Sequence, residues 1–319
     1  FDFALLPGFQ YGGMEHIGAI FYRESSLMLD EDATENRKLG RASLIAHETA
    51  HMWFGDMVTM QWFNDVWLKE VFANFMAAKV VNPSFLEINH ELRFLFAHQP
   101  SAYSEDRSEG SHPIQQELDN LKNAGTLYGR IIYQKAPVVM RQLETLVGEE
   151  IFREGLQEYL QEFAYGNATW DDLINILDAK SELDLKTWSE VWVKAPHMPV
   201  YELSIEESSG ETPAQLRIKA QPNPATGQYW SQETEVAFIY VDGILNQKVT
   251  LSGEETIIDF PHSSVAPVAI LPNASAITYG YFQLDEASQE DLLANATSWH
   301  DPLLRGAARM TLEEDMLRG

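Results

Sequence analysis

Hydrophobic and polar positions follow three different spacings along this chain. The first 30 residues hold short apolar or alternating runs, broken by Pro7-Gly8 and Gly12-Gly13. Runs of this kind, bounded by turn residues, are typical of strands. The pattern therefore predicts a small sheet from residues 1–6, 19–22 and 26–29.

From residue 36 to about residue 193, apolar residues recur at spacings of three and four, which indicates amphipathic helices. The clearest stretches are LIAHETAHMWF, VWLKEVFANFMAAKVV and VVMRQLETLVGEEIFREGLQEYLQEF. Asp171 and Asp172, which follow Thr169, predict the start of another helix. Asn64 or Asp65 is expected to cap the helix that begins at VWLKE.

After Pro199 the pattern changes to short alternating runs, with turns at Asp242-Gly243 and Ser252-Gly253, which predicts an all-β sandwich. The end is helical again: Ser288 is expected to cap one helix, and Asp301 with Pro302 to begin another. We therefore predict an α+β fold in three parts. Their expected limits are 1–199 for a domain of helices with a small sheet, 200–284 for the β-sandwich, and 285–319 for the first helices of a further domain.

Composition and charge exclude some classes of protein. The net charge of −26, with only 22 Lys and Arg residues, argues against a nucleic-acid partner, because phosphate binding needs a basic face. No stretch approaches the roughly 18 consecutive apolar residues of a membrane span. The chain has no cysteine, so metal ligands and catalytic groups must be oxygen or nitrogen atoms.

The beginning of the chain leaves its cellular location open. Phe1 is not an initiator Met, and the basic and then apolar pattern of a signal peptide is absent. We therefore expect a fragment or a processed form. A cytoplasmic location and, if a signal was removed, a periplasmic one both stay open, as does the oligomeric state.

Residues 47–51 read H-E-T-A-H within a predicted helix. His47 and His51 are four residues apart, so both imidazoles lie on one helical face and can reach one metal ion. Glu48 comes about 100° further round the helix, where it can hold a water molecule without being a ligand. The spacing therefore predicts a metal site with an adjacent base.

A catalytic zinc site with two histidines needs a third ligand, commonly a carboxylate. Glu70 lies in the next predicted helix, among Trp67, Leu68, Val71 and Phe72. A charged group in such an apolar helix requires a partner. If the two helices run antiparallel, Glu70 meets the histidine pair and completes the ligand set.

Together these residues resemble a known family. H-E-x-x-H followed by Glu after eighteen residues is the pattern of the gluzincin metallopeptidases, and HETAHMWFGDMVT resembles the zinc helix of aminopeptidase N type enzymes. YGGMEH at 11–16 is similar to that family's G-x-M-E-N exopeptidase motif, and IIYQKAPVVMRQLE to its tyrosine segment. The resemblance covers essentially the whole chain. It implies a thermolysin-like catalytic domain, a β-sandwich and the start of a helical domain, in a fragment that lacks the family's N-terminal β domain.

The resemblance implies a zinc-dependent aminopeptidase with one Zn²⁺ per chain, bound by His47, His51 and Glu70. Glu48 would be the general base for a metal-activated water, and Tyr133 would stabilise the charge that develops on the carbonyl oxygen. The partners would be peptides with a free N-terminus.

The resemblance also implies a substrate-binding segment formed by Gly12, Gly13, Met14 and Glu15. The carboxylate of Glu15 would pair with the free α-ammonium group of the peptide and reject acylated ends. The backbone of the two glycines would hydrogen-bond to the extended substrate as an added strand does.

Four positions depart from the family pattern. His16 replaces the Asn of the exopeptidase motif, Lys69 and Val71 turn N-E-G-F-A into K-E-V-F-A, and Ala136 replaces a glycine. Two alternatives stay open: a thermolysin-like endopeptidase that does not use Glu15, and a truncated zinc-binding module without turnover.

Overall fold

The computed structural model describes residues 2–206, 214–261 and 265–318. These residues form two compact units, each built from several stretches of the chain. The first unit consists of Phe1–His90, Gln115–Tyr133 and Glu150–Leu183, and the second of Glu91–Ile114, Gln134–Glu149 and Asp184–Gly319. The domain limits expected at 199 and 284 stay a prediction.

The helices and strands alternate in blocks, as the sequence predicts for an α+β fold, and that fold class is confirmed. The α-helices are α1 (Glu24–Leu27), α2 (Glu35–Ala50), α3 (Val66–Val81), α4 (His90–Asp106), α5 (Ala136–Val147), α6 (Glu149–Glu162), α7 (Trp170–Lys180), α8 (Leu185–Trp192), α9 (Glu286–Asn295) and α10 (Pro302–Arg318). The strands are β1 (Asp2–Leu6), β2 (Gly13–Met14), β3 (Ala19–Arg23), β4 (Val58–Met60), β5 (Gly166–Ala168), β6 (Val200–Glu206), β7 (Gln215–Ala220), β8 (Gln232–Tyr240), β9 (Gly243–Leu251), β10 (Glu255–Asp259), β11 (Ala269–Leu271) and β12 (Tyr281–Gln283).

The first unit begins with a three-stranded sheet in the order β1-β3-β2. β1 runs parallel to β3, whereas β2 is antiparallel to β3 and lies at an edge of the sheet. The prediction of a strand at residues 26–29 is wrong. Residues 24–27 form a single helical turn instead, in which Met28 N–H donates to the Glu24 carbonyl at 2.9 Å. An apolar run this short does not distinguish a strand from a helix.

Helix α3 is the most deeply buried helix near the predicted site, and its bounds coincide with the predicted run VWLKEVFANFMAAKVV. Trp67 packs edge to face against Trp170, with ring centroids 5.0 Å apart. The ring of Phe72 stacks on the ring of Phe54, with the two centroids 4.8 Å apart. Asp65 precedes α3 but makes no side-chain cap, contrary to the prediction. Its carboxylate accepts hydrogen bonds from Gln115 Nε2 at 2.6 Å and Trp170 N–H at 3.3 Å, which tie the start of α3 to later segments.

The long helical stretch predicted from Val138 to Phe163 is divided into α5 and α6. Gly148 separates them with a φ of 87°, a conformation that glycine adopts without steric cost. Helix α7 begins at Trp170, close to the predicted start at Asp171, and Thr169 caps it in a capping box with Asp172.

The second unit contains two sheets with strand orders β10-β7-β6-β12 and β11-β8-β9. β8 and β9 form a hairpin whose two-residue loop is Val241-Asp242, one residue before the predicted turn at Asp242-Gly243. Helix α9 is capped by Asp285, whose carboxylate accepts from Ser288 N–H at 3.0 Å, so the prediction that Ser288 is the cap is wrong. Asp301 caps the start of α10 through Leu303 N–H at 2.8 Å, as expected.

A buried ion pair lies inside the second unit. Lys135 Nζ is 2.9 Å from Asp106 Oδ2, and neither side chain is exposed to solvent. The hydroxyls of Ser111 and Tyr279 donate to the same carboxylate, each at 2.9 Å, and Lys135 also donates to the His197 carbonyl at 2.7 Å. Each charge is therefore paired and hydrogen-bonded, as burial requires.

None of the helices within residues 2–206, 214–261 and 265–318 combines the length and hydropathy that crossing a bilayer requires.

Candidate metal centre and active site

Helix α2 carries the two predicted histidine ligands and the base at its C-terminal end. Thr34 caps the start of the helix, where its hydroxyl accepts from Arg37 N–H at 3.4 Å, and the helix ends at Ala50. His51 forms the C-cap, with its N–H donating to the His47 carbonyl at 3.2 Å. The helical spacing brings the two imidazole Nε2 atoms to 3.1 Å from each other.

Helix α3 brings Glu70 to this histidine pair. Glu70 Oε2 is 3.6 Å from His47 Nε2 and 4.0 Å from His51 Nε2. The three ligand atoms lie within 4.8 Å of one another, which is compatible with a single metal ion. The fold thus joins the three residues that the sequence predicts as zinc ligands.

The second nitrogen of each imidazole ring has an oxygen partner. His51 Nδ1 is 3.0 Å from the Phe54 carbonyl, and His47 Nδ1 is 3.0 Å from Asn74 Oδ1. Because a carbonyl oxygen only accepts, the neutral form of either ring would carry its proton on Nδ1. No motif in the sequence indicates a role for Asn74, although it lies four residues after Glu70 and hence on the same face of α3.

These contacts provide a test of whether the residues fit a metal ion. With both protons on Nδ1, the two Nε2 lone pairs face each other and the Glu70 carboxylate, with no proton to share. A divalent cation satisfies such a set of acceptors, and two imidazoles with one carboxylate are a donor set suited to catalytic zinc. The residues therefore fit the zinc ion that the sequence predicts.

The electrostatics of the site agree with this assignment. Burial, followed by the charge of His51, lowers the pKa of His47 to about 4, so its imidazole is neutral at physiological pH. Burial, followed by repulsion from Glu15 and Glu70, raises the pKa of Glu48 to about 8. Three carboxylates thus share a small buried volume, where a cation would relieve their repulsion.

Glu48 lies directly under strand β2. A Cβ atom at Gly13 would overlap the Glu48 carboxylate, so only glycine leaves room for the base at this position. Gly13 pairs with Tyr22 of β3, and Arg23 fixes the preceding loop by donating to the Phe9 and Gln10 carbonyls at 2.8 and 2.5 Å. Because β2 is an edge strand, Gly13 and Met14 lie where an extended peptide can add to the sheet.

Glu15 follows β2 and forms an ion pair with Lys69 of α3. Lys69 Nζ is also 3.3 Å from Glu70 Oε1. Burial disfavours the charged form of Glu15 and so acts to raise its pKa. His51 and Lys69 outweigh this effect and lower the pKa of Glu15 to about 2. Burial likewise opposes the charge of Lys69, and Glu70 and Glu15 nevertheless raise its pKa above the usual range. The sequence marks Lys69 as unusual, but its partner lies 54 residues away and is visible only in the fold.

His16, the other unusual residue beside Glu15, is exposed and packs edge to face against Phe21, with ring centroids 4.9 Å apart. Its ring therefore rests on the small sheet.

Tyr133 lies on a π-helical turn, Ile131–Lys135. Such turns are rare and occur frequently at functional sites. Burial, followed by the charge of Glu70, raises the pKa of Tyr133, and Glu15 and Glu48 act in the same direction. The phenol is therefore protonated and able to donate a hydrogen bond near these carboxylates. The ring of Tyr128, which no motif in the sequence indicates, stacks on the ring of Tyr133, with the two centroids 6.3 Å apart.

Comparison with known proteins identifies a family and several relatives of this chain. Residues 1–192 match the Peptidase family M1 domain. The chain is 38% identical over 206 residues to probable aminopeptidase 1 of Sulfurisphaera tokodaii, which covers 65% of this chain and 26% of that protein. It is 32% identical over 302 residues to aminopeptidase N of Streptomyces lividans, which covers 90% of this chain and 35% of that protein.

A third relative is the puromycin-sensitive aminopeptidase of Caenorhabditis elegans, at 37% identity over 204 residues, or 64% of this chain and 22% of that protein. The chain thus spans about a quarter to a third of the length of these relatives. The family match covers more than half of the chain and includes every residue of the site described above. The match and the ligand geometry lead to one conclusion: the chain belongs to peptidase family M1.

Proposed function

We propose that this chain carries the catalytic site of a zinc-dependent aminopeptidase that hydrolyses the N-terminal bond of peptides. The observation that supports this proposal is the convergence of three kinds of group in one small volume. They are a metal-ligand set of His47, His51 and Glu70, a buried base, Glu48, and an acidic group, Glu15, beside an edge strand.

The three ligands would hold one Zn²⁺ ion, which when bound polarises the substrate carbonyl and lowers the pKa of water. Asn74 and the Phe54 carbonyl would keep the two imidazole rings oriented for this purpose.

Glu48 would take the proton from the attacking water and pass it to the leaving amine. Its buried position raises its affinity for a proton, which suits a group that must accept and then release one. Gly13 keeps the carboxylate under the edge of β2, next to the substrate backbone that would pair with that strand.

Tyr133 would donate its hydroxyl proton in a hydrogen bond to the carbonyl oxygen as negative charge develops there. Glu15 would accept the α-ammonium group and so fix the distance from the N-terminus to the bond that is cut. Peptides with a free amino terminus would then be the substrates.

The test is hydrolysis of L-leucine 4-nitroanilide and of its N-acetylated form by the purified protein. We expect hydrolysis of the free amine to require zinc and to fall by at least about 1,000-fold in Glu48→Gln with the metal content unchanged. We expect the acetylated compound to react at least about 100-fold more slowly.

Two outcomes would contradict the proposal. Cleavage of an acetylated peptide at a comparable rate would favour an endopeptidase that does not read the N-terminus. Stoichiometric zinc binding without hydrolysis of either compound would favour a metal-binding module without turnover.

A further inference from the structure

The carboxylate that would receive the substrate amine already holds an ammonium group of the protein itself. Lys69 Nζ pairs with Glu15 Oε1, and the two side chains are only 18% and 13% exposed. The same nitrogen is 3.3 Å from Glu70 Oε1. Lys69 therefore lies between the exopeptidase carboxylate and the third metal ligand.

The position of Lys69 is fixed from both ends. Its backbone belongs to the buried helix α3, next to Glu70. Its side-chain stem passes the backbone of Gly55, where an added Cβ would be 3.4 Å from Lys69 Cδ. The ammonium group is thus held at Glu15 by charge, on a stem that runs beside the backbone of Gly55.

A lysine ε-ammonium and a peptide α-ammonium offer the same chemistry: one positive charge and three N–H donors. Both can satisfy a carboxylate through charge-assisted hydrogen bonds. A substrate amine that approaches Glu15 must therefore share the carboxylate with Lys69 or displace it. The substrate amine therefore gains less binding free energy at Glu15 than it would gain at a carboxylate without a partner.

We propose that Lys69 is a specificity-determining residue that competes with the substrate amino terminus for Glu15 and thereby weakens selection for a free N-terminus. The proposal rests on the aminopeptidase function proposed above. It assigns Lys69 an effect on substrate binding and no part in the bond cleavage itself.

The experiment compares Lys69→Met with Lys79→Met. Methionine retains an unbranched stem beside Gly55 and removes the charge. Lys79 is a matched control, because it lies on the same helix, is exposed and carries the same charge.

In Lys69→Met we expect the KM for L-leucine 4-nitroanilide to fall about 10-fold while kcat stays within about threefold. The preference for the free amine over its acetylated form should rise by the same factor of about 10. In a Glu15→Gln background, the same substitution should change KM less than about twofold, because the competition requires the carboxylate. Lys79→Met should leave all three quantities unchanged.

A binding measurement separates this inference from the proposed function. Isothermal titration calorimetry with 3-methylbutylammonium, which offers an ammonium group and no scissile bond, should give a Kd about 10-fold lower in Lys69→Met than in the wild type. This result would support the competition even if the protein hydrolyses neither anilide. If the wild type hydrolyses the anilides as proposed while the Kd and KM do not change, the competition is refuted and the aminopeptidase function stands.

Two further outcomes would also overturn the proposal. A comparable fall in KM in the Glu15→Gln background would show that Lys69 acts on another group. Loss of bound zinc in Lys69→Met, measured by metal analysis, would show that Lys69 supports Glu70 instead of competing at Glu15. If Lys69→Met does not fold, Lys69→Gln serves for the same measurements.

Discussion

The carboxylate of Glu48 occupies the space that any side chain at Gly13 would need. Gly13 is on the edge strand β2, and Glu48 is on helix α2, so the close approach relates a sheet edge to the helix that carries the candidate base. The absence of a side chain at residue 13 is therefore a condition for the position of the base.

We predict that Gly13→Ala lowers kcat by at least about 100-fold, because the new methyl group must displace the Glu48 carboxylate by about 1 Å or more. The zinc content should remain one per chain, since the three atoms nearest to the added methyl group all belong to Glu48 and none to a candidate ligand. Gly40→Ala is the control: it lies on α2 with no atom within 4 Å of the added Cβ, and it should retain full activity. Normal kcat in Gly13→Ala would show that the base tolerates displacement.

We predict that Asn74→Leu weakens zinc binding about 10- to 100-fold, because His47 Nδ1–H loses its acceptor and the ring its fixed orientation. Asn74→Asp, which keeps an acceptor at the same place, should bind zinc at least as tightly as the wild type. The measurement is competition with a chromophoric chelator. Equal affinities in the two variants would mean that another contact orients His47.

We predict that Tyr133→Phe lowers kcat about 100- to 1,000-fold and changes KM little, because the hydroxyl acts only once charge develops on the carbonyl oxygen. Tyr165→Phe provides the control, since Tyr165 is 92% exposed. Steady-state kinetics on an aminoacyl anilide distinguish the two results. A rise in KM with normal kcat would instead assign Tyr133 to substrate binding.

We predict that Lys135→Met lowers the free energy of unfolding by about 3–5 kcal/mol, because it leaves the buried Asp106 carboxylate without its charge partner. Lys38→Met breaks an exposed pair with Glu35 and should cost less than about 0.5 kcal/mol. Urea unfolding followed by circular dichroism measures both. A small loss in Lys135→Met would mean that the hydroxyls of Ser111 and Tyr279 suffice for Asp106.

The candidate metal-ligand set could be predicted from the sequence because its two histidines are one helical turn apart and its carboxylate lies in a mostly apolar helix. The spacing of His47 and His51 fixes their common face, and the apolar neighbours of Glu70 indicate its burial. Helix α3 accordingly begins and ends where the pattern predicts.

Contacts between distant segments could not be predicted in this way. Lys69 and Glu15 meet only because β2 pairs with β3 and lies over the two helices, and no local pattern contains that information. The errors at residues 26–29 and at Ser288 have a local cause. A run as short as S-L-M-L fits either kind of element, and Asp285, three residues before Ser288, is an equally favourable N-cap, so the sequence alone does not decide between them.

The packing of Trp67 against Trp170 also constrains how the protein is made. Helix α3 depends on Trp170 for the cover of its buried face and for the hydrogen bond to Asp65, yet Trp170 is synthesised about 100 residues after Glu70. At usual rates of translation this interval lasts about 5–20 s. Until then, the two helices that carry the candidate metal ligands lack the contacts with Trp170, so we expect stable binding of zinc to follow the synthesis of that segment.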